Sequence, residues 1–258
     1  MSWFTPTCPV DAETKEWIEN GLNWLIEELG ADMLASVEVV LPIEQYFPDP
    51  FSGSDSDIRR MVERVCGYMD VDPTLLELRF YVNEDGSDLH PLAASESGSH
   101  ALGSYQMRGG KYQIRLETSQ AANPQVMVAT IAHELGHVIL LGEGRLDPDY
   151  PDHEPMTDLL TVFYGMGIFN SNSVFSFEQW TNTQSQGWRA DRRGYLSEEM
   201  FGYALALFAY ARNESKPEWA SYLNVNVKSY FKNGFKYLTK TRDTTVQRVD
   251  AQAADSIA

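Results

Sequence analysis

From Asn123 to Gly142 the chain reads Asn-Pro-Gln-Val-Met-Val-Ala-Thr-Ile-Ala-His-Glu-Leu-Gly-His-Val-Ile-Leu-Leu-Gly, a stretch with few ways to fold. Asn123 is a strong helix cap, and Pro124 suits the first helical position, where its missing N–H costs nothing. The spacing predicts a helix that buries Met127 or Val128, Ile131, Leu135 and Val138 or Ile139. The same helix carries His133 and His137 on its opposite edge and ends at Gly142 or Gly144.

Inside this helix lies His133-Glu134-Leu135-Gly136-His137. Two histidines four residues apart sit about 40° apart around a helix axis and about 6 Å apart along it. Both imidazoles can then reach one tetrahedral metal from the same face, with Glu134 beside the open position as a general base. The plain alternative is a helix whose histidines are hydrogen-bonded for structure alone. A catalytic zinc site needs a third protein ligand, and three downstream residues have suitable chemistry. Glu143 has the metzincin spacing, but that arrangement needs a glycine where Leu140 stands. His153 is also chemically suitable. Glu154 is best placed, because it opens a helix at Glu154-Pro-Met-Thr-Asp158.

The rest of the chain narrows the class. At 258 residues and 43% hydrophobic, it is long enough to bury a sizeable core. A net charge of −17 argues against nucleic acid or an anionic membrane surface as partner, since both require clustered Lys and Arg. Two cysteines, Cys8 and Cys66, form no disulfide framework or CxxC pair, which suits a reducing compartment. No basic-then-apolar leader opens the sequence, and no apolar run approaches the roughly 20 residues of a membrane helix. The expectation is a soluble, cytoplasmic protein.

Periodicity gives the remaining elements. Residues 11–29 read as an amphipathic helix closed by Gly30, 36–47 hold a strand that ends at Pro42, and 57–69 read as a helix. Leu75 to Val82 alternates as a strand, and 84–100 is a long Gly/Ser-rich loop. Leu102 to Arg108 and Lys111 to Thr118 flank Gly109-Gly110 as a hairpin. A second helix runs from Glu154 or Pro155 to about Ile168, and 170–196 reads as a polar, aromatic loop or lid. A largely buried helix spans Ser197 to about Arg212, and one or two more lie within 217–240. Asp147, Asp149 and Asp152 lack the order of a calcium loop and read as solvated. One catalytic domain over 1–240 is expected. Its α/β part, 1–122, holds the sheet, and its mainly helical part, 123–240, carries the metal site. Residues 241–258 read as a disordered tail.

HELGH followed after sixteen residues by Glu-x-x-Thr-Asp resembles the gluzincin metallopeptidases, the thermolysin-like clan. The resemblance covers about residues 102–168. It implies an α+β, zincin-like fold with a small mixed or antiparallel sheet. It also implies one zinc ion per chain held by His133, His137 and Glu154, with Glu134 as catalytic base. Asp158 would accept a hydrogen bond from the outer nitrogen of a ligating histidine. The strand Lys111 to Thr118 would be a sheet edge that pairs with extended substrate.

The expected activity is hydrolysis of peptide bonds in a peptide or protein substrate. The tetrahedral oxyanion would need a second donor, for which Tyr195 is the leading candidate, followed by Tyr164, Arg189, Arg192 and Arg193. Two other readings share the same residues: a catalytically silent zinc-binding interaction module, and a metal-dependent hydrolase of a non-peptide amide. An intact Glu134 favours an enzyme, because a purely structural site needs ligands but no base.

Overall fold

The computed structural model describes residues 5–81, 107–108, 110–181 and 195–249. Helices dominate, and the sheet is small. In chain order the elements are α1 (Ala12–Leu29), α2 (Ala31–Ser36), α3 (Asp55–Tyr68), β1 (Leu76–Tyr81), β2 (Met107–Arg108), β3 (Lys111–Glu117), α4 (Pro124–His137), α5 (His153–Phe163), α6 (Gly167–Thr181), α7 (Glu198–Ala211) and α8 (Val225–Thr241). The chain divides into two compact units. One gathers Met1–Leu41, Asp158–Asn172 and Tyr195–Ala258, and the other Pro42–Thr157 and Ser173–Gly194.

The unit around Pro42–Thr157 is built on a sheet of order β1-β3-β2. β1 and β3 run parallel, with Leu76, Leu78 and Phe80 opposite Tyr112, Ile114 and Leu116. The alternation follows from the pleat: Ile114 and Leu116 are buried, whereas Arg115 between them is exposed. β2 adds a two-residue antiparallel ladder to the start of β3. β3 is therefore the central strand of the three. Of Lys111 to Thr118, expected as a sheet edge, β1 covers one side over Tyr112–Glu117, and among the described residues β2 meets the other at Lys111 and Tyr112 alone. The rest of the first hairpin arm and the 84–100 loop lie outside the described residues.

α3 begins with a reciprocal cap. The Ser54 hydroxyl accepts the Asp57 N–H, and Asp57 accepts the Ser54 N–H. Its buried face, Ile58, Met61, Val62 and Val65, packs against α4. α4 starts as its sequence dictates, with Asn123 Oδ1 accepting the N–H groups of Gln125 and Val126 at 3.2 and 3.4 Å. The α-helical pattern stops at His137, and Val138–Gly142 continue as one π-helical turn. Tyr112 Oη donates to the Gly142 carbonyl at 3.1 Å, pinning β3 to the end of that turn. Burial runs nearly all round α4. His133, on the edge opposite the predicted buried face, is 0% exposed. The 19 residues Pro124–Gly142, with mean hydropathy 1.3, are long and apolar enough to cross a membrane, contrary to the sequence reading, and 67% of the stretch is buried within the protein.

The other unit is organised on α7, whose residues Phe201–Ala211 are all buried, as the sequence predicts. Each large apolar side chain removed from water there contributes roughly 1.5–3 kcal/mol. α8 packs on it where a Cβ on Gly202 would meet the Tyr230 Cβ at 2.4 Å, so only glycine allows that approach. The Arg212 guanidinium donates to the carbonyls of Leu34 and Val37 at 2.7 Å each, capping the end of α2. Residues 37–41, expected within a strand, belong to no ladder among the described residues. Val40 N–H instead donates to Gly165 O at 3.0 Å.

Three more expectations are corrected here. The proposed loop 170–196 is helical as far as Thr181, because α6 buries Asn170, Ser171 and Ser173; its remainder, 182–194, lies outside the described residues. The helix expected to run to Ile168 ends at Phe163, and Gly165, at φ 73, turns the chain into α6. Residues 242–249, read as part of a disordered tail, are anchored. Thr245 donates its N–H and hydroxyl to Glu19 Oε2 at 3.0 and 3.2 Å, Val246 is buried, and Val249 N–H donates to Ala211 O at 2.7 Å. Residues 250–258 lie outside the described residues.

Candidate metal centre

His133 and His137 occupy the last turn of α4, their rings edge-on with centroids 4.7 Å apart. Glu154, the second residue of α5, points Oε2 at both, 2.9 Å from His133 Nε2 and 3.4 Å from His137 Nε2. One ligand atom from each of the three lies within 4.8 Å of the others. Around a tetrahedral zinc with bonds of about 2.0–2.1 Å, donor atoms stand about 3.3 Å apart. The two distances from Glu154 Oε2 lie to either side of that value, and all three atoms stand within 4.8 Å of one another, close enough to converge on one ion. The donor set also fits: two imidazoles and one carboxylate are a common protein contribution where zinc keeps a position for water.

The outer nitrogen of His137 has a partner that the sequence reading missed. Thr157 Oγ1 stands 3.3 Å from His137 Nδ1 and donates its own proton to the His153 carbonyl at 2.8 Å. With the hydroxyl proton committed to that carbonyl, Oγ1 is left as an acceptor for Nδ1–H. With the proton on Nδ1, the Nε2 lone pair would be available to a metal ion, whereas toward Glu154 alone Nε2 acts as a donor. The signal was visible in principle, since Thr157 lies three residues after Glu154 on one helix face. Asp158, expected in the outer role, is buried, and its Oδ2 accepts the Leu196 N–H at 3.0 Å.

Two carboxylates of the site are driven in opposite directions. Burial raises the Glu134 carboxyl above its ordinary range. Charges on His137, His133 and Arg115 oppose that rise, and the charge on Glu154 adds to it. Burial would raise Glu154 as well, but its hydrogen bonds with His133 and His137 win and hold it well below the ordinary carboxylate range. Groups separated in this way suit different work, one accepting protons and the other staying ionised.

The remaining candidates fall as follows. Glu143 is exposed and pairs with Arg145 Nε at 2.8 Å, apart from the three-donor cluster. His153 lies beside the cluster, its ring centroid 5.9 Å from that of His137. Tyr164 is buried, and its ring meets Phe163 edge-on. Tyr195 is half-buried and directly precedes Leu196, whose N–H is held by Asp158. Arg189, Arg192 and Arg193 lie outside the described residues. Asp147 and Asp149 are exposed, and Asp147 Oδ1 caps the Asp149 N–H at 2.9 Å, the local bond of a solvated turn. No family model, no curated protein and no solved structure matches this chain.

Proposed function

We propose that the protein is a zinc-dependent metallopeptidase of gluzincin type, binding one zinc ion through His133, His137 and Glu154. The observation that carries this reading is the convergence of three metal-ligating atoms within 4.8 Å, from two helices, beside a glutamate one residue along from the first histidine. Zinc bound there supplies Lewis acidity toward a water and a substrate carbonyl. Glu154, kept ionised, supplies the negative ligand, and Thr157 orients His137. Glu134, its proton affinity raised by burial, removes a proton from the attacking water and delivers it to the leaving amine. Tyr195 remains the proposed oxyanion donor, and a peptide or protein the proposed substrate.

Metal analysis of purified protein tests the first half. One zinc per chain is expected, lost in His133→Ala and His137→Ala, and a metal-free protein after reconstitution would overturn the reading. Glu134→Gln should then keep the zinc and lose at least 100-fold in turnover of a mixed peptide library. Unchanged turnover would place the base elsewhere.

One observation favours a second reading. β2 takes the start of the side of β3 away from β1, at Lys111 and Tyr112, which shortens the edge on which an extended peptide would lie. A hydrolase of a smaller, non-peptide amide needs no such edge. Parallel assays on peptides and on N-acyl amides separate the two.

A further inference from the structure

The two oxygens of Glu154 face different histidines. Oε2 faces the ring nitrogens of His133 and His137, whereas Oε1 is directed at His153 Nδ1, 3.7 Å away. His153 is held in that position from three directions. It is the first residue of α5, its N–H donates to Tyr150 O at 3.2 Å, and its carbonyl accepts the Thr157 hydroxyl. Its side chain is only 18% exposed, and its ring tilts 54° against that of His137.

A glutamate can bind a metal through one oxygen or two, and the choice decides how many positions remain for water and substrate. A donor fixed on one oxygen settles that choice, because an oxygen already accepting a proton from the protein is a poorer second ligand. The present 3.7 Å is longer than a hydrogen bond. A carboxylate drawn by Oε2 toward a metal pivots about its own terminal carbon, and closing about 0.8 Å brings Oε1 into hydrogen-bond range of Nδ1.

We propose that His153 is a positioning residue whose Nδ1–H holds Oε1 of Glu154, so that the carboxylate offers the metal Oε2 alone and a coordination position stays open. This rests on the metal centre proposed above. His153 itself stays outside the coordination shell, which distinguishes the role from its candidacy as third ligand. The partner is a divalent ion of zinc's size and preference for few ligands.

Cobalt(II) in place of zinc tests the proposal without any assay of turnover, because its visible bands weaken as coordination rises from four to five. Four full-length proteins are compared: wild type, His153→Asn, His153→Leu and His133→Ala. Asn keeps an N–H donor near the place of Nδ1, and Leu keeps only bulk. The expected result is intense four-coordinate bands for wild type and His153→Asn, and clearly weakened five-coordinate bands for His153→Leu at unchanged one-to-one stoichiometry. Identical spectra for wild type and His153→Leu would overturn the role of His153 while leaving the metal centre standing. Loss of cobalt in both His153 variants, with helical circular dichroism retained, would make His153 a ligand and also overturn the proposal. Absence of cobalt from the wild type, with no difference from His133→Ala, would remove the metal centre itself and this inference with it.

Discussion

The Thr157 hydroxyl and Nδ1 of His137 stand 3.3 Å apart, joining the first turn of α5 to the last turn of α4. That contact selects the histidine tautomer whose Nε2 is free to ligate. Thr157→Val keeps the shape and removes the acceptor. Zinc affinity is expected to fall by about tenfold, measured by competition with a chromophoric chelator, while Thr157→Ser retains it. Equal affinity in the Val variant would mean that the ring is oriented by packing alone.

Glu19 is 1% exposed and gathers the Tyr203 hydroxyl at 2.7 Å, Lys15 at 3.0 Å, and both donors of Thr245. Glu19→Ala strands these groups and is expected to cost about 3 kcal/mol of unfolding free energy in urea. A loss below about 1 kcal/mol would show that water replaces the carboxylate.

Gly165 and Gly144 share nearly the same backbone, at φ 73 and φ 69, but not the same surroundings. A Cβ on Gly165 would stand 2.2 Å from the Glu38 carbonyl oxygen, and one on Gly144 meets nothing within 4 Å. Gly144→Ala therefore carries only backbone strain, about 1–2 kcal/mol. Gly165→Ala adds a backbone collision and should lower the melting temperature by a clearly larger amount. Similar melting shifts would refute the close approach.

Asp57 titrates well below the ordinary carboxylate range, because the hydroxyl and N–H of Ser52, then Ser54, donate to it. Its folded value is depressed relative to the unfolded chain. Its contribution is therefore fully present above the unfolded value of about 3.9 and is lost as pH falls toward the folded one. Asp57→Asn should be less stable than wild type at pH 6 and approach it as pH drops below about 4. A constant gap in stability between pH 6 and pH 3 would contradict the assignment.

How much was legible depends on the distance over which each feature is decided. The cap at Asn123-Pro124, the helix spacing of His133 and His137 and the burial of α7 all follow from residues within a few turns. Glu154 was singled out because it opens a helix, and it does stand beside the two histidines. Residues 37–41 show the limit. Val37, Val39, Val40 and Leu41 have strand propensity, but no partner strand meets them among the described residues, and the Val40 N–H finds Gly165 instead. The Asn- and Ser-rich start of α6 has the opposite problem: weak helix propensity overridden by burial of Asn170, Ser171 and Ser173.

By itself the sequence determined the helices with strong caps and clear periods, and the pair of histidines presented on one turn, because these rest on local hydrogen bonds and on fixed 3.6-residue geometry. Tertiary structure alone decided that β3 is central, that Glu154 turns Oε2 to His133 and His137 and Oε1 toward His153, and that residues 242–249 fold back onto Glu19. Several of these contacts join residues far apart in the chain, 21 positions for His133 and Glu154 and 226 for Glu19 and Thr245, and strand order, carboxylate orientation and the burial of a polar tail are settled by which surfaces meet.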